Sequence, residues 1–199
     1  MTTTQNKWVI DIAHSNISFK IKHLLISNVR GGFIGFDASI YTTNNDFTTA
    51  QVDAYIDVAS IYTGDAKRDE HLISDAFFNT EKYKQISFVS SDIEKSDNDG
   101  NYEVWGNLTI KDVSKKIKFD VNFGGFNTQL DGTMVAGFSV AAIISRADFG
   151  LLWNKAIETG GILVGDEVHL TADFELHKTD LKTLEMEINV PIVTNSVAY

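Results

Sequence analysis

The side chains in this chain best able to do chemistry are five histidines, His14, His23, His71, His169 and His177, together with Arg68, Asp69 and Arg146. Imidazole changes charge near neutral pH and ligates metals, so each histidine is a candidate acid, base or ligand. A zinc site needs at least two of them at helix or hairpin spacing with an open coordination position. None has that spacing on a helix, so no metal site is expected. His169 and His177 fall on the polar face of a strand, where exposure to solvent accounts for them. His23 differs, because it shares a face with Ile17, Phe19 and Ile21. It either makes a satisfied buried hydrogen bond or presents a polar group inside a cavity.

Arg146 raises the same question. Counting by two from Met134 through Ala136, Phe138, Val140, Ala142 and Ile144 places it on their apolar face. A buried guanidinium needs a partner: an ion pair with Asp148, Asp69 or another carboxylate, or a ligand headgroup held bidentately through carboxylate or phosphate. The run Arg68, Asp69, Glu70, His71 holds acid and base side by side, but catalysis needs a defined partner geometry that neighbours on a helix do not provide. These residues read as a solvated, self-paired helix start, and Arg68, Asp69 and His71 stand as candidates for the mouth of a cavity. The sequence contains no cysteine, which removes disulfides, thiolate metal sites and thiol catalysis. It also lacks a nucleophile elbow, a phosphate loop and a dinucleotide fingerprint. Neither catalytic residues nor a cofactor are expected.

The elements that must position these residues are strands. A half-buried strand alternates apolar and polar side chains, and that period recurs along the chain. In Ser15 to Leu24, Ile17, Phe19, Ile21 and His23 oppose Ser18, Lys20 and Lys22. In Ser114 to Gly124, Ile117, Phe119, Val121 and Phe123 oppose Lys116, Lys118, Asp120 and Asn122. In Glu167 to His177, Val168, Leu170, Ala172, Phe174 and Leu176 oppose the charged set that includes His169 and His177. Weaker alternation at Trp8 to Ile12, Phe33 to Thr42, Ala50 to Val58, Ile86 to Ile93 and Tyr102 to Ile110 brings the count to about eight strands. The run Met134 to Ile144 is apolar on both faces, as expected of a strand covered outside by another element or subunit. Open edges invite aggregation, so such strands are expected to close into a barrel.

One segment departs from period two. AKRDEHLISDAFF, Ala66 to Phe78, carries Leu72, Ile73, Ala76 and Phe77 at helical spacing and predicts a short amphipathic helix capping one barrel end. The doublets Gly31-Gly32 and Gly124-Gly125 read as bends or bulges of curved strands. Two units are expected: the barrel over residues 1–178, and a tail over 179–199 whose sequence fits a helix or a strand and which would serve as a dimer element or a lid.

Composition limits the partners. The chain has 199 residues, 43% of them hydrophobic, enough for a real core without metals or crosslinks. Its formal net charge of -10 argues against nucleic acid, which needs a basic footprint, and against a polybasic membrane anchor. No stretch reaches the roughly 18 apolar residues of a spanning helix, so stable membrane insertion is not expected. The polar start MTTTQNK leaves no room for the apolar core of a signal peptide, and a cytoplasmic protein is expected.

With these segments on the page, the sequence resembles the YceI-like family of polyisoprenoid-binding proteins. The resemblance rests on WVID and HSNISFKIKHL (Trp8 to Leu24), VRGGFIGF (Val29 to Phe36), SIYTGDAKRDEHLISDAFF (Ser60 to Phe78) and KQISF (Lys84 to Phe88). It continues with VWGNLTIKDVSKKIKF (Val104 to Phe119), SRADFGL (Ser145 to Leu151) and VGDEVHL (Val164 to Leu170). It departs from the family pattern with Lys84 where proline is common, Ser145 where asparagine is usual, and the tail. The resemblance implies an extended antiparallel lipocalin-like barrel whose hydrophobic interior takes a long isoprenoid lipid, polyprenyl or quinone-like, without chemistry of its own. Phe19, Ile21, Phe36, Phe88, Phe119, Val121, Phe138, Val140 and Phe174 are then the expected wall, with His23 and Arg146 as polar contacts. Two rival readings are an enzyme acting on such lipids through Arg68, Asp69 and His71, and an interaction module whose barrel is packed solid.

Overall fold

The computed structural model describes residues 4–97, 100–154 and 163–179. Its strands are β1 (Gln5–Ile10), β2 (Asn16–His23), β3 (Ser27–Phe33), β4 (Phe36–Thr43), β5 (Asp46–Asp57), β6 (Ile61–Tyr62), β7 (Gln85–Lys95), β8 (Asn101–Ile110), β9 (Val113–Thr128), β10 (Met134–Ser145) and β11 (Val164–Thr179). One helix, α1 (Ala66–Ile73), interrupts them. Every pairing is antiparallel, and β1-β4-β5-β7-β8-β9-β10-β11 closes on itself through β1 and β11. The result is an eight-stranded, lipocalin-like barrel.

The barrel is longer than its ring, because several strands bend and continue. β11 pairs with β2 from Val168↔Ile21 to Asp173↔Asn16, then exchanges it for β1 from Ile10↔Leu176 to Lys7↔Thr179. β1 and β2 therefore act as one strand with a corner, the 3-10 turn Ile12–His14. Corners also separate β3 from β4 at Gly35 and β5 from β6 at the 3-10 turn Val58–Ser60. These two are tied together: Asp57 N–H donates to the Gly35 carbonyl at 2.8 Å, and Gly35 N–H donates to Ser60 Oγ at 2.9 Å.

Three expectations are corrected. β3 escaped the alternation reading because its core-facing position is glycine: a Cβ on Gly31 would lie 2.5 Å from both Phe19 Cζ and the Tyr62 carbonyl. The Gly31-Gly32 pair is thus a close approach, and β2–β3 pairing runs through it unbroken. Gly124-Gly125 does form a bulge, where the β9–β10 register shifts and Gly125 takes φ +112. Helix α1 ends at Ile73, short of Phe78, because the Ser74 hydroxyl turns back to the His71 carbonyl at 2.7 Å. Phe77 and Phe78 reach the core from the turn that follows. On the outer face of β10, Val135 is buried while Ile143 stands 61% exposed, so no element among the described residues covers the whole of that face. The tail expected over residues 179–199 lies outside the described residues apart from Thr179, the last residue of β11.

Buried side chains form two clusters, one toward each end of the barrel. One gathers Phe33, Val58, Ile61, Phe77, Phe78, Ile86 and Phe149 beneath α1. The other gathers Trp8, Ile10, Phe36, Ile40, Phe47, Tyr102 and Leu176 at the opposite end. Trp8 is fully buried there and donates its indole N–H to Thr42 Oγ1 at 2.9 Å. No helix among the described residues is long and apolar enough to cross a membrane.

Candidate binding cavity

Inward-facing positions of β2, β9, β10 and β11 carry aromatic and branched side chains, yet they do not fill the lumen. A cavity of about 630 Å³ remains, within the range of natural ligand pockets. This space is the one expected of a ligand-holding barrel and is at odds with the rival reading of a barrel packed solid. Phe19, Ile21, His23, Phe36, Phe88, Phe119, Val121, Phe138, Val140, Arg146 and Phe174 all line the cavity. Strand alternation places all but Arg146 there, because each sits on the inward register of its strand; Arg146 follows the last residue of β10 and opens the 3-10 turn Ala147–Phe149.

The two ends differ. At one, Phe47 from the β4–β5 hairpin packs against Trp8, Phe123, Phe126 and Phe138 with ring centroids 4.8 to 6.0 Å apart. This aromatic stack closes the lumen. Burial raises the pKa of the Tyr102 phenol nearby, with the Asp46 charge adding to it. At the other end the lining turns polar, with Lys22, His23, Asp65, Lys67, Arg68, His71 and Arg146 gathered around the start of β11 and helix α1. The sequence reading missed Phe47, Tyr102, Phe77, Lys67 and Trp153 as lining. Phe47 follows a turn signal and Trp153 lies in a loop, so periodicity carried no information about either.

Arg146 is 5% exposed and pairs with neither Asp148 nor Asp69. Its Nε donates to the Gly165 carbonyl at 2.7 Å, Nη1 to the carbonyls of Trp153, at 2.9 Å, and of Leu151, and Nη2 to the Val164 carbonyl at 3.3 Å. Four carbonyl dipoles thus take the place of a carboxylate. Burial lowers the pKa of this guanidinium and the charge of Asp166 opposes the shift. The arginine fastens residues 151–153 to the start of β11 and builds the rim from inside. His23 lies on the same rim, and its imidazole has no hydrogen-bond partner among the described residues.

The trio Arg68, Asp69 and His71 is only partly brought together. Asp65 caps α1 by accepting from the N–H groups of Lys67 and Arg68 at 3.1 and 3.2 Å. Arg68 donates to Thr63 Oγ1 at 2.7 Å and to the Thr63 carbonyl at 2.9 Å. The Thr63 hydroxyl in turn donates to Asp69. Arg68 and His71 line the cavity, while Asp69 is spent on Thr63 behind them and is absent from the lining. His71 meets Trp153 edge to face, with centroids 4.5 Å apart, so the helix and the loop after β10 touch across the rim.

A closed antiparallel barrel with bent strands, an aromatic floor and a polar rim around an apolar lumen is a lipocalin-like architecture. The YceI-like domain matches residues 8–176, and the chain belongs to that family. UPF0312 proteins of Staphylococcus aureus strains MSSA476 and N315 are 38% and 37% identical over 169 residues, covering 84% of this chain and 95% of theirs. Among solved structures, a Campylobacter jejuni YceI protein is 35% identical with a TM-score of 0.69, covering 85% of this chain and 96% of that one. Burkholderia cenocepacia BcnA is 25% identical with a TM-score of 0.72, over 83% and 98%. A polyisoprenoid binding domain from Saccharophagus degradans shares the fold at 15% identity and a TM-score of 0.61, over 86% and 98%.

Proposed function

We propose that this protein is a non-enzymatic carrier or store for one long isoprenoid lipid, polyprenyl or quinone-like, held along the barrel lumen. The observation that carries this reading is the cavity itself: about 630 Å³, apolar along its length, closed by aromatics at one end and rimmed by cationic side chains at the other. Burying a five-carbon isoprene unit is worth roughly 4 kcal/mol at about 0.8 kcal/mol per carbon group, so a few units offset the cost of ordering a flexible chain. A uniformly apolar wall selects for length and girth. The head is selected at the rim, where Lys22, Lys67, Arg68 and His71 suit a phosphate or a quinone carbonyl. The polyisoprenoid binding domain among the fold neighbours supports the ligand class. The non-enzymatic reading is supported by Asp69, whose carboxylate accepts from the Thr63 hydroxyl and stays outside the cavity lining.

The test is mass spectrometry of an organic extract of the protein purified without detergent, beside native mass spectrometry of the intact species. A stoichiometric prenyl or quinone-like molecule is expected. An empty protein that also rejects added prenyl lipids would overturn the reading.

A further inference from the structure

Outside the barrel, at the corner where β11 exchanges β2 for β1, four titratable side chains meet. Asp11 and His14 come from the 3-10 corner, and Glu175 and His177 from consecutive positions on one face of β11. The backbone fixes this meeting: Asp11 N–H donates to the Glu175 carbonyl at 2.8 Å, and Glu175 N–H donates to Ser15 Oγ at 3.0 Å. His14 Nδ1 lies 2.7 Å from Asp11 Oδ2. His177 Nε2 lies 3.3 Å from the same oxygen and 3.2 Å from Glu175 Oε1. Asp11, His14 and Glu175 each offer one ligand atom within 4.8 Å of the other two. Read strand by strand, His177 is an outward histidine explained by solvent; the corner gives it two carboxylate neighbours.

We propose that Asp11, His14, Glu175 and His177 form a binding site for one divalent transition-metal ion of the zinc type. A tetrahedral ion with bonds of about 2.0–2.2 Å needs donor atoms roughly 3.3–3.5 Å apart. Both contacts of His177 are within about 0.2 Å of that spacing; Asp11, His14 and Glu175 already have donor atoms within 4.8 Å of one another, and bringing His14 and His177 onto one ion requires side-chain rotation, at a surface where His14 is 66% exposed. Imidazole nitrogen selects zinc, nickel or copper over magnesium and calcium, which prefer all-oxygen shells. Two carboxylates with two neutral imidazoles balance a dication. Gln129 Nε2 donates to Glu175 Oε1 at 3.4 Å and is placed to orient this carboxylate from the next hairpin. The site is independent of the lumen, and an ion there ties the β1–β2 corner to β11 at the seam where the barrel closes, so its binding energy becomes stability.

The untagged full chain, stripped with a chelator, is titrated with zinc chloride by calorimetry and followed by thermal unfolding. One saturable site per chain and a rise in Tm are expected. His14→Ala and His177→Ala each weaken binding by about tenfold or more, whereas His169→Ala, on β11 opposite Lys20 and Ile143, leaves it unchanged. A wild-type readout guards against variants that fail to fold: zinc protects His14 and His177 from diethyl pyrocarbonate, read by peptide mass spectrometry, and does not protect His169. Absence of saturable binding, equal binding by both variants, or protection that bypasses this pair overturns the proposal.

Discussion

At Arg146, the sequence leaves a choice between a carboxylate partner and a ligand head, and the folded chain sets four backbone carbonyls where the carboxylate was expected. A guanidinium forks, so one side chain can hold the carbonyls of Leu151, Trp153, Val164 and Gly165 together. An ammonium cannot span them. Arg146→Lys is therefore expected to leave carbonyls unpaired and to cost about 3 kcal/mol, at roughly 1–3 kcal/mol for each buried group left without a partner, measured by urea unfolding. A variant within about 0.5 kcal/mol of wild type would mean that the rim is held some other way. Asp46 supplies a pH dependence of known sign. Its carboxylate accepts from Thr48 Oγ1 at 2.7 Å and from Thr48 N–H at 3.0 Å, which holds its pKa below the ordinary 3.8. A carboxyl depressed on folding stabilises the native state above its unfolded pKa, and that contribution is lost as pH falls through the folded value. The loss of stability as pH falls through and below the ordinary carboxylate range should thus be shallower in Asp46→Asn, which should also be less stable than wild type at neutral pH. Parallel acid profiles for the two proteins would remove Asp46 from the account.

Helix α1 owes its start to Asp65, and it forms one side of the rim. Asp65→Ala removes the cap on the Lys67 and Arg68 N–H groups and is expected to cost about 1 kcal/mol. That loss is local, so exchange of a fluorescent prenyl lipid should quicken while the global unfolding midpoint shifts little; unchanged exchange would separate α1 from entry. The same scale shows what was legible in the sequence. Alternation gave β2 nearly to its ends and the middle of the longer β9 and β11, and with them the inward wall, because register on a half-buried strand fixes which side chains face the lumen. It failed at β3, where Gly31 replaces the expected apolar side chain so that Phe19 and the Tyr62 backbone can approach. It overran α1, where Ser74 ends the helix from within an otherwise helical pattern. The contacts across corners, Arg146 on four carbonyls and His177 on Asp11, were illegible because they join residues that no local period relates.

At the scale of the whole molecule, a barrel of this size can be filled by its own side chains, and here it is not. That difference can be tested by filling it. Ala172 lies on β11 between Val140 and Ile17, is buried, and lines the lumen. Placing phenylalanine in a well-packed core costs typically about 1–3 kcal/mol, whereas placing it in a lipid-sized void adds apolar contacts and displaces only the cargo. Bound lipid stabilises the native state in proportion to the logarithm of its saturation, so the loaded wild type carries a contribution that the filled variant lacks. Ala172→Phe is therefore expected to purify folded and free of lipid. Extraction with organic solvent followed by refolding should lower the Tm of the wild type and leave that of the variant unchanged. If the substitution instead destabilises the protein by the overpacking cost and extraction moves neither Tm, the lumen is closed in solution and the carrier reading fails with it.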